Sequence, residues 1–362
     1  MLHLPRGRQN WESRPGTRRR GIRRWGFQHS VIVFLIAVAA AAAGQTGKSD
    51  SAALYEIVEL PLRPLAISNS GWVAGATPQQ KAATWSRTTG LQSVPLPAAF
   101  SFSECTAINS RGDAVGTAST ADSSKRVAFL FRDNEVTLLP GEQARANGLN
   151  DSDGIAGQAI LPPGKSMVPL FWRDSSPLSL PICCAGAGKS INNQGIIAGD
   201  TYDKQGHYHA FVWDATHGAR LVSIPAEQYS SALALNDKGE VLVKATPGGL
   251  FIDSGGTLRS IEIPKSTPRA MNGERIVVGS FGPGPEAQRA FVWDLDHGLR
   301  DLNLLIPGDS GWKLEVASGI NDRGEIVGWG DHNGVENAGF LLHLKTVGKS
   351  EKSSKPSQPN KK

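Results

Sequence analysis

Cysteine, methionine and tyrosine are all scarce in this chain of 362 residues, which holds 3, 3 and 4 of them. Cys105, Cys183 and Cys184 make a sparse and odd set, which excludes a disulfide scaffold. Adjacent cysteines seldom bridge each other without strain, so Cys183 and Cys184 are expected to be small, buried apolar residues. Long apolar runs are missing too. The longest, residues 31–43, has 13 residues, short of the roughly 20 that a membrane-spanning helix needs. There is no G-x-S-x-G elbow, no H-E-x-x-H, no phosphate-cradling P-loop and no S-x-D-x-G-x-T-W box. Elbow-type serine hydrolases, zincins and P-loop enzymes are thereby set aside, and no cofactor is expected.

An excess of basic charge is missing from the middle of the chain, although the net charge is +5. Eight arginines oppose Glu12 before residue 31, and six lysines oppose Glu351 from Lys345 onward. Residues 51–344 carry 23 basic and 30 acidic groups. Phosphate binding needs Lys and Arg clustered on one surface, so no nucleic-acid partner is expected. The amino end has the order of an export signal: an arginine-rich stretch to Arg24, the apolar run, then Ala41-Ala42-Ala43, which fits an A-x-A cleavage site. Residues 1–43 thus read as an export signal, and the protein as secreted, periplasmic or at the cell surface. The alternative is an uncleaved amino-terminal membrane anchor, the one tie to a membrane. Arg23-Arg24 is followed by Trp25-Gly26-Phe27, a poor fit to a twin-arginine signal. Residues 44–54 read as a linker and 346–362, rich in Lys, Ser and Pro, as a disordered tail.

The rest is periodic. A hydrophobic stretch ending in proline recurs at Leu60-Pro61, Leu96-Pro97, Leu139-Pro140, Leu180-Pro181, Ile224-Pro225, Ile263-Pro264 and Ile306-Pro307, about 41 residues apart. Between the prolines comes first a turn such as Asn109…Gly112, Asn192…Gly195 or Asn321…Gly324, between apolar runs. Asn bonds its own backbone at the turn entry, and Gly takes the left-handed conformation that ends a hairpin loop. Asp153 and Arg275 replace that glycine in the third and sixth units. Arg tolerates the conformation less well, so the sixth turn is expected to be remodelled. An aromatic strand follows in each unit, from Ala83-Thr84-Trp85 to Gly339-Phe340-Leu341. Each unit reads as four short antiparallel strands with no helical period.

Four-stranded sheets repeated radially are propeller blades. The last unit stops after its aromatic strand, and residues 55–61 form a proline-ended strand with no unit before them. Pairing that strand beside residues 339–344 removes two raw edges, whereas an open solenoid would want polar caps. The predicted fold is all-β: a seven-bladed β-propeller of four-stranded antiparallel blades over residues 55–345, closed by its amino-terminal strand. The residue before the apolar residue of each turn is Ala66, Ala107, Gly148, Ser190, Ala234, Ala270 or Gly319. All are small, which places their strand innermost.

His209-Ala210-Phe211, preceded by Asn192…Gly195 and Gly199, resembles the HAF repeats of bacterial extracellular proteins. The likeness covers all seven units, with Arg289-Ala290-Phe291 and Val127-Ala128-Phe129 as variants of the triplet. It implies an exported propeller-like repeat protein and carries no catalytic residues.

Alignment of the units removes most apparent sites. His207 and His209 share a strand face, as metal ligands would, but Lys81, Val127, Val168, Arg289 and Asn337 stand at the position of His209. Asn150 to Gly154 suggests a calcium loop, yet Leu149 falls at its first ligand position. His217-Gly218 and His297-Gly298 occupy a turn that accepts Thr89-Gly90. No metal site is expected. The axial face remains, lined by the residue two before each turn's apolar position: Thr106, Asn147, Lys189, Arg269 and Ser318, with Leu65 and Leu233 interrupting. These alternate with the small residues, as on a strand with two unlike faces. Lys189 and Arg269 suit an anionic or sugar ligand. The expected function is an exported, non-enzymatic scaffold that binds a protein or glycan. The alternative is a propeller hydrolase or lyase acting on a glycan, which would want acidic or His residues at the axial positions.

Overall fold

A computed structural model describes residues 53–224, 229–284 and 287–345. The expected export signal, most of the linker, the carboxy-terminal tail and Pro225 lie outside the described residues.

The chain forms seven four-stranded antiparallel sheets. Six are laid down in chain order from the axis outward, as in blade 1: Arg63–Ile67, Val73–Ala76, Ala82–Ser86 and Gly90–Ser93. The inner strands of blades 2 to 7 are Phe102–Ile108, Glu142–Leu149, Gly186–Ile191, Tyr229–Leu235, Ser266–Met271 and Trp312–Ile320. Each touches the next around the whole circuit, blade 7 against blade 1 included. Blade 7 alone is built from both ends of the propeller. Its outer strand is Tyr55–Leu60, paired with Val335–Leu344 from Tyr55 opposite Leu344 to Leu60 opposite Gly339. This is the expected closure, and it buries Tyr55 and Leu60.

The core lies between blades rather than at one centre. Phe129, Phe211, Phe291 and Phe340 on the third strands are fully buried. Each crosses a glycine of the second strand, namely Gly116, Gly199, Gly279 or Gly328. A Cβ on Gly116 or Gly328 would lie 2.0 Å from an inner-strand carbonyl oxygen, so the backbones meet there only because no side chain intervenes. The small residues of the inner strands have a similar cause. A Cβ on Gly148 would lie 2.9 Å from the backbone nitrogen of Ile191 in the next blade.

Every inner strand carries a β-bulge, and in all seven blades the extra residue is the one expected on the axial face: Leu65, Thr106, Asn147, Lys189, Leu233, Arg269 or Ser318. A bulge sets two residues opposite one and breaks the period of two. The expected alternation of these residues with the small ones therefore does not hold.

Two further expectations are corrected. The sixth turn is not remodelled: Arg275 adopts φ +59°, and its N–H donates to the Asn272 carbonyl at 3.0 Å, as Gly195 does to Asn192. The conformational cost is offset by the Arg275 guanidinium, which pairs with buried Glu240 of the preceding blade. Cys183 and Cys184 are exposed, their sulfurs 2.7 Å apart, while Cys105 is buried. The pair sits on the connection between blades 3 and 4.

Candidate functional site

The inner strands have two ends, and their polar groups are used differently. At the turn end, Asn192 accepts the backbone N–H groups of Gln194 and Ile196 at 3.1 and 2.9 Å and donates its Nδ2 to the Asn236 carbonyl of the next blade at 3.0 Å. The arrangement repeats from Asn109 to Asn150, Asn192, Asn236, Asn272, Asn321 and finally the Ser68 carbonyl. Six side chains thus link seven blades, and Ser68 leaves the one gap. Carboxylates beside this belt are taken up too: Asp113 and Asp153 by Arg111 and Arg132, Glu240 by Arg275, Glu325 by Arg323. Asp153, in the turn that suggests a calcium loop, is thereby neutralised by arginines.

The bulge residues are the second set of links. Thr106 Oγ1 donates to the Ala146 carbonyl at 2.6 Å, Asn147 Nδ2 to Gly188 at 2.8 Å, Lys189 Nζ to Ala232 at 3.1 Å and Ser318 Oγ to Pro64 at 2.8 Å. Each acceptor is the residue just before the bulge of the next blade. Lys189 also reaches Ser231 Oγ at 2.8 Å and pairs with Asp200. Four of the five candidate residues are thus spent in joining blades.

Arg269 is the exception. Among the described residues it makes no hydrogen bond or ion pair. Its guanidinium lies 5.5 Å from the Trp329 ring centroid, and that of Arg63 lies 4.6 Å from the same ring. Arg269 is exposed as a residue, although protein surrounds part of its guanidinium. That enclosure, and the charge of Arg63, hold its pKa below the ordinary arginine value.

At the end away from the turns, a cavity of about 850 Å³ opens across blades 7, 1, 2 and 3. Arg63, Glu104 and Arg145 line it from three inner strands, each two residues before its bulge, and Arg126 joins them from the third strand of blade 2. Burial, together with the charge of Arg145, lowers the pKa of Arg126. None of Arg63, Arg126 and Arg145 has an ion pair or hydrogen bond within the described residues. Their role was hidden in the sequence because the bulge shifts which position faces the mouth, and nothing in residue type announces a bulge at positions filled by Leu, Thr, Asn, Lys, Arg and Ser.

The described histidines all lie beside carboxylates: His207 and His209 at Asp203, His217 at Asp214, His297 at Asp294, His332 at Glu59 and His343 at Glu56. His332 uses both ring nitrogens, on Oε2 of Glu59 from the cavity wall at 2.9 Å and on Asn333 Nδ2 at 3.1 Å, and stacks on Trp312 at 4.3 Å. Among the described residues no group of three His, Cys, Asp or Glu side chains could hold a metal ion. A second cavity of about 350 Å³ lies on the outer side of blade 4, with Cys183, Tyr202, His209 and Leu221 on its wall. The contact with Cys183 raises the pKa of the Cys184 thiol, opposite to the shift of an activated nucleophile.

No protein family and no curated protein matches the sequence. Solved structures match the fold. The WD40 β-propeller domain of Doa1 aligns with a TM-score of 0.53 and 12% identity, over 81% of this chain and 97% of that one. The β-propeller domain of the trilobed protease from Pyrococcus furiosus, described as having an open velcro topology, aligns with a TM-score of 0.50 and 9% identity, over 75% and 91%. Virginiamycin B lyase from Staphylococcus aureus aligns with a TM-score of 0.50 and 13% identity, over 80% and 100%. The chain spans only 45% of the acylaminoacyl peptidase from Pyrococcus horikoshii, with a TM-score of 0.48 and 14% identity over 66% of this chain. At such identities, what is shared is the propeller fold.

Proposed function

We propose that this protein is an exported, non-enzymatic propeller that holds a protein or glycan ligand over the mouth cavity. The observation that carries the reading is the contrast between the belt of satisfied polar groups at the turn end and the unpaired arginines around a cavity of about 850 Å³ at the other. Cavities of about 300–1,000 Å³ are the size that small ligands and ligand segments occupy. Export is supported by the basic, apolar and small-residue order of residues 1–43 and by the resemblance to HAF repeats. A binding role is supported by His332, bonded to Glu59 of the cavity wall: Nδ1 is engaged by Glu59 and Nε2 by Asn333, so neither ring nitrogen is left open to take a proton.

The test is to present the full chain to an array of envelope glycans and proteins, and to analyse the same glycans by mass spectrometry after incubation. Retention without new products is expected. Shortened or unsaturated saccharides would replace this reading with that of a hydrolase or lyase. Sequencing the amino terminus of protein recovered outside the cytoplasm tests export, with a start near Gly44 expected.

A further inference from the structure

Eight of the fourteen described arginines of the propeller have a carboxylate partner. Of the six without one, four stand at or beside the mouth, Arg173 and Arg259 lying elsewhere. Arg87, Arg111, Arg132, Arg220, Arg275, Arg289, Arg300 and Arg323 each pair with a carboxylate. Arg63, Arg126 and Arg145 face one cavity with none among the described residues, and Arg269 stands beside Arg63 on the Trp329 ring. Guanidinium groups carry five N–H donors in a fixed fork that matches a carboxylate or sulfate. Setting guanidinium groups side by side with no carboxylate in direct contact raises the energy of the empty protein, and an anion entering the cavity would relieve it.

The same wall carries Glu59, Glu104 and Glu336. A densely charged polyphosphate would meet three carboxylates there. A ligand whose anionic groups are separated by hydroxyls meets complementary partners throughout, because hydroxyls donate to carboxylates while anions accept from arginines. Phe102, 42% exposed on the wall, offers an apolar face of the kind that covers a sugar ring. Resting on the reading of the mouth as a binding face, we propose that the cavity is a site for a short acidic saccharide, its carboxylate or sulfate groups held by Arg63, Arg126 and Arg145 and its hydroxyls by the glutamates.

Isothermal titration of the full chain tests this with trigalacturonate, a sulfated trisaccharide, neutral maltotriose, inorganic phosphate and oligoglutamate. Trigalacturonate or the sulfated sugar should bind one to one and weaken steeply with added salt. Arg126→Gln and Arg145→Gln should each reduce that affinity about tenfold or more, the loss expected for a charged hydrogen bond. Arg87→Gln, on the opposite end, should leave it unchanged. Because the two cavity arginines make no contacts that hold the fold, the variants should melt with the unaltered protein; should one fail to fold, the salt dependence of the unaltered protein decides. Equal binding of maltotriose would overturn the acidic-saccharide site while leaving a glycan-binding propeller standing. Tighter binding of phosphate or oligoglutamate, no binding by either acidic sugar, or full affinity in both arginine variants would overturn it as well.

Discussion

The two ends of each inner strand share one backbone and differ in chemistry. At the turn end the same residue, Asn, recurs in six blades and performs the same task, bonding its own turn and the next blade's carbonyl. At the mouth end the position two before the bulge holds Arg63, Glu104, Arg145, Ala187, Ser231, Thr267 and Val316. Where the fold needs a polar group it is repeated, and where the fold needs none the residue varies. A binding surface is to be sought at the second kind of position, among groups that no neighbouring blade consumes.

The largest expected effect breaks the belt. Asn236 is buried, accepts the N–H groups of Lys238 and Glu240 at 3.1 and 2.9 Å, and donates to Glu240 Oε2 at 2.9 Å and the Asn272 carbonyl at 3.2 Å. Asn236→Ala leaves the N–H groups of Lys238 and Glu240 without an acceptor and removes two donated bonds, although Glu240 Oε2 and the Asn272 carbonyl keep Arg275 as a donor. With about 1–3 kcal/mol for each buried orphan and partial rescue by water, the loss should be about 3–5 kcal/mol by chemical denaturation. A loss below about 1 kcal/mol would mean that the belt decorates the turn end rather than holding it.

Acid should loosen the same end selectively. The hydrogen bond from Arg275 holds the Glu240 pKa below the ordinary carboxylate value, against the upward push of burial. For Glu325, burial pushes upward and is outweighed by hydrogen bonds from Asn321 and Arg323, so its pKa is lowered as well. A carboxylate with a depressed folded pKa adds stability above its unfolded pKa, about 4.3 for Glu, and loses it as pH falls through the folded value. The denaturant midpoint should therefore drop on acidification from about pH 5 downward. Glu240→Gln should start lower at neutral pH and fall less over that window. Parallel curves for the two proteins would show that Glu240 titrates alike in both states.

The fold was legible because its signals are backbone requirements that repeat. Proline at the crossovers, Asn and Gly at the turns and small residues beside the axis each recur, and the unmatched strand at residues 55–61 had one place to go. The site was less legible. Lys189 and Arg269 stand at the same aligned position, yet one is absorbed by Asp200 and Ala232 and the other is free among the described residues, which depends on neighbours in the next blade rather than on residue type. Arg275 illustrates the same limit. A residue poorly suited to its turn keeps the turn because a carboxylate 35 positions earlier lies within reach.

A milder change would sharpen the contrast by completing the belt. Ser68 stands where six blades have Asn, and its Oγ accepts only the Trp72 N–H, at 3.1 Å, from its own turn backbone. In Ser68→Asn the longer carboxamide reaches the N–H groups of its turn and the Asn109 carbonyl of blade 2. One added link of this kind contributes about 1 kcal/mol, visible as a higher denaturant midpoint. A lower midpoint would show that blade 1 is packed around serine and that the turn end is less uniform than its repeat suggests.

The smallest effect on stability should come from the mouth, and its sign carries the comparison. Arg126 and Arg145 hold no partner among the described residues and raise each other's energy, so Arg126→Gln or Arg145→Gln should be neutral or stabilising, within about 0.5 kcal/mol. Added salt should erase any gain, because screening removes the repulsion that the substitution relieves. Once either charge is gone the repulsion between the two is gone, so the double variant should gain little more than the better single one, and the cycle should return a coupling of opposite sign to that of an ion pair. A loss above about 1 kcal/mol for either variant would place these arginines with Thr106 and Asn147, as links between blades, and the mouth would then hold the fold together just as the belt does.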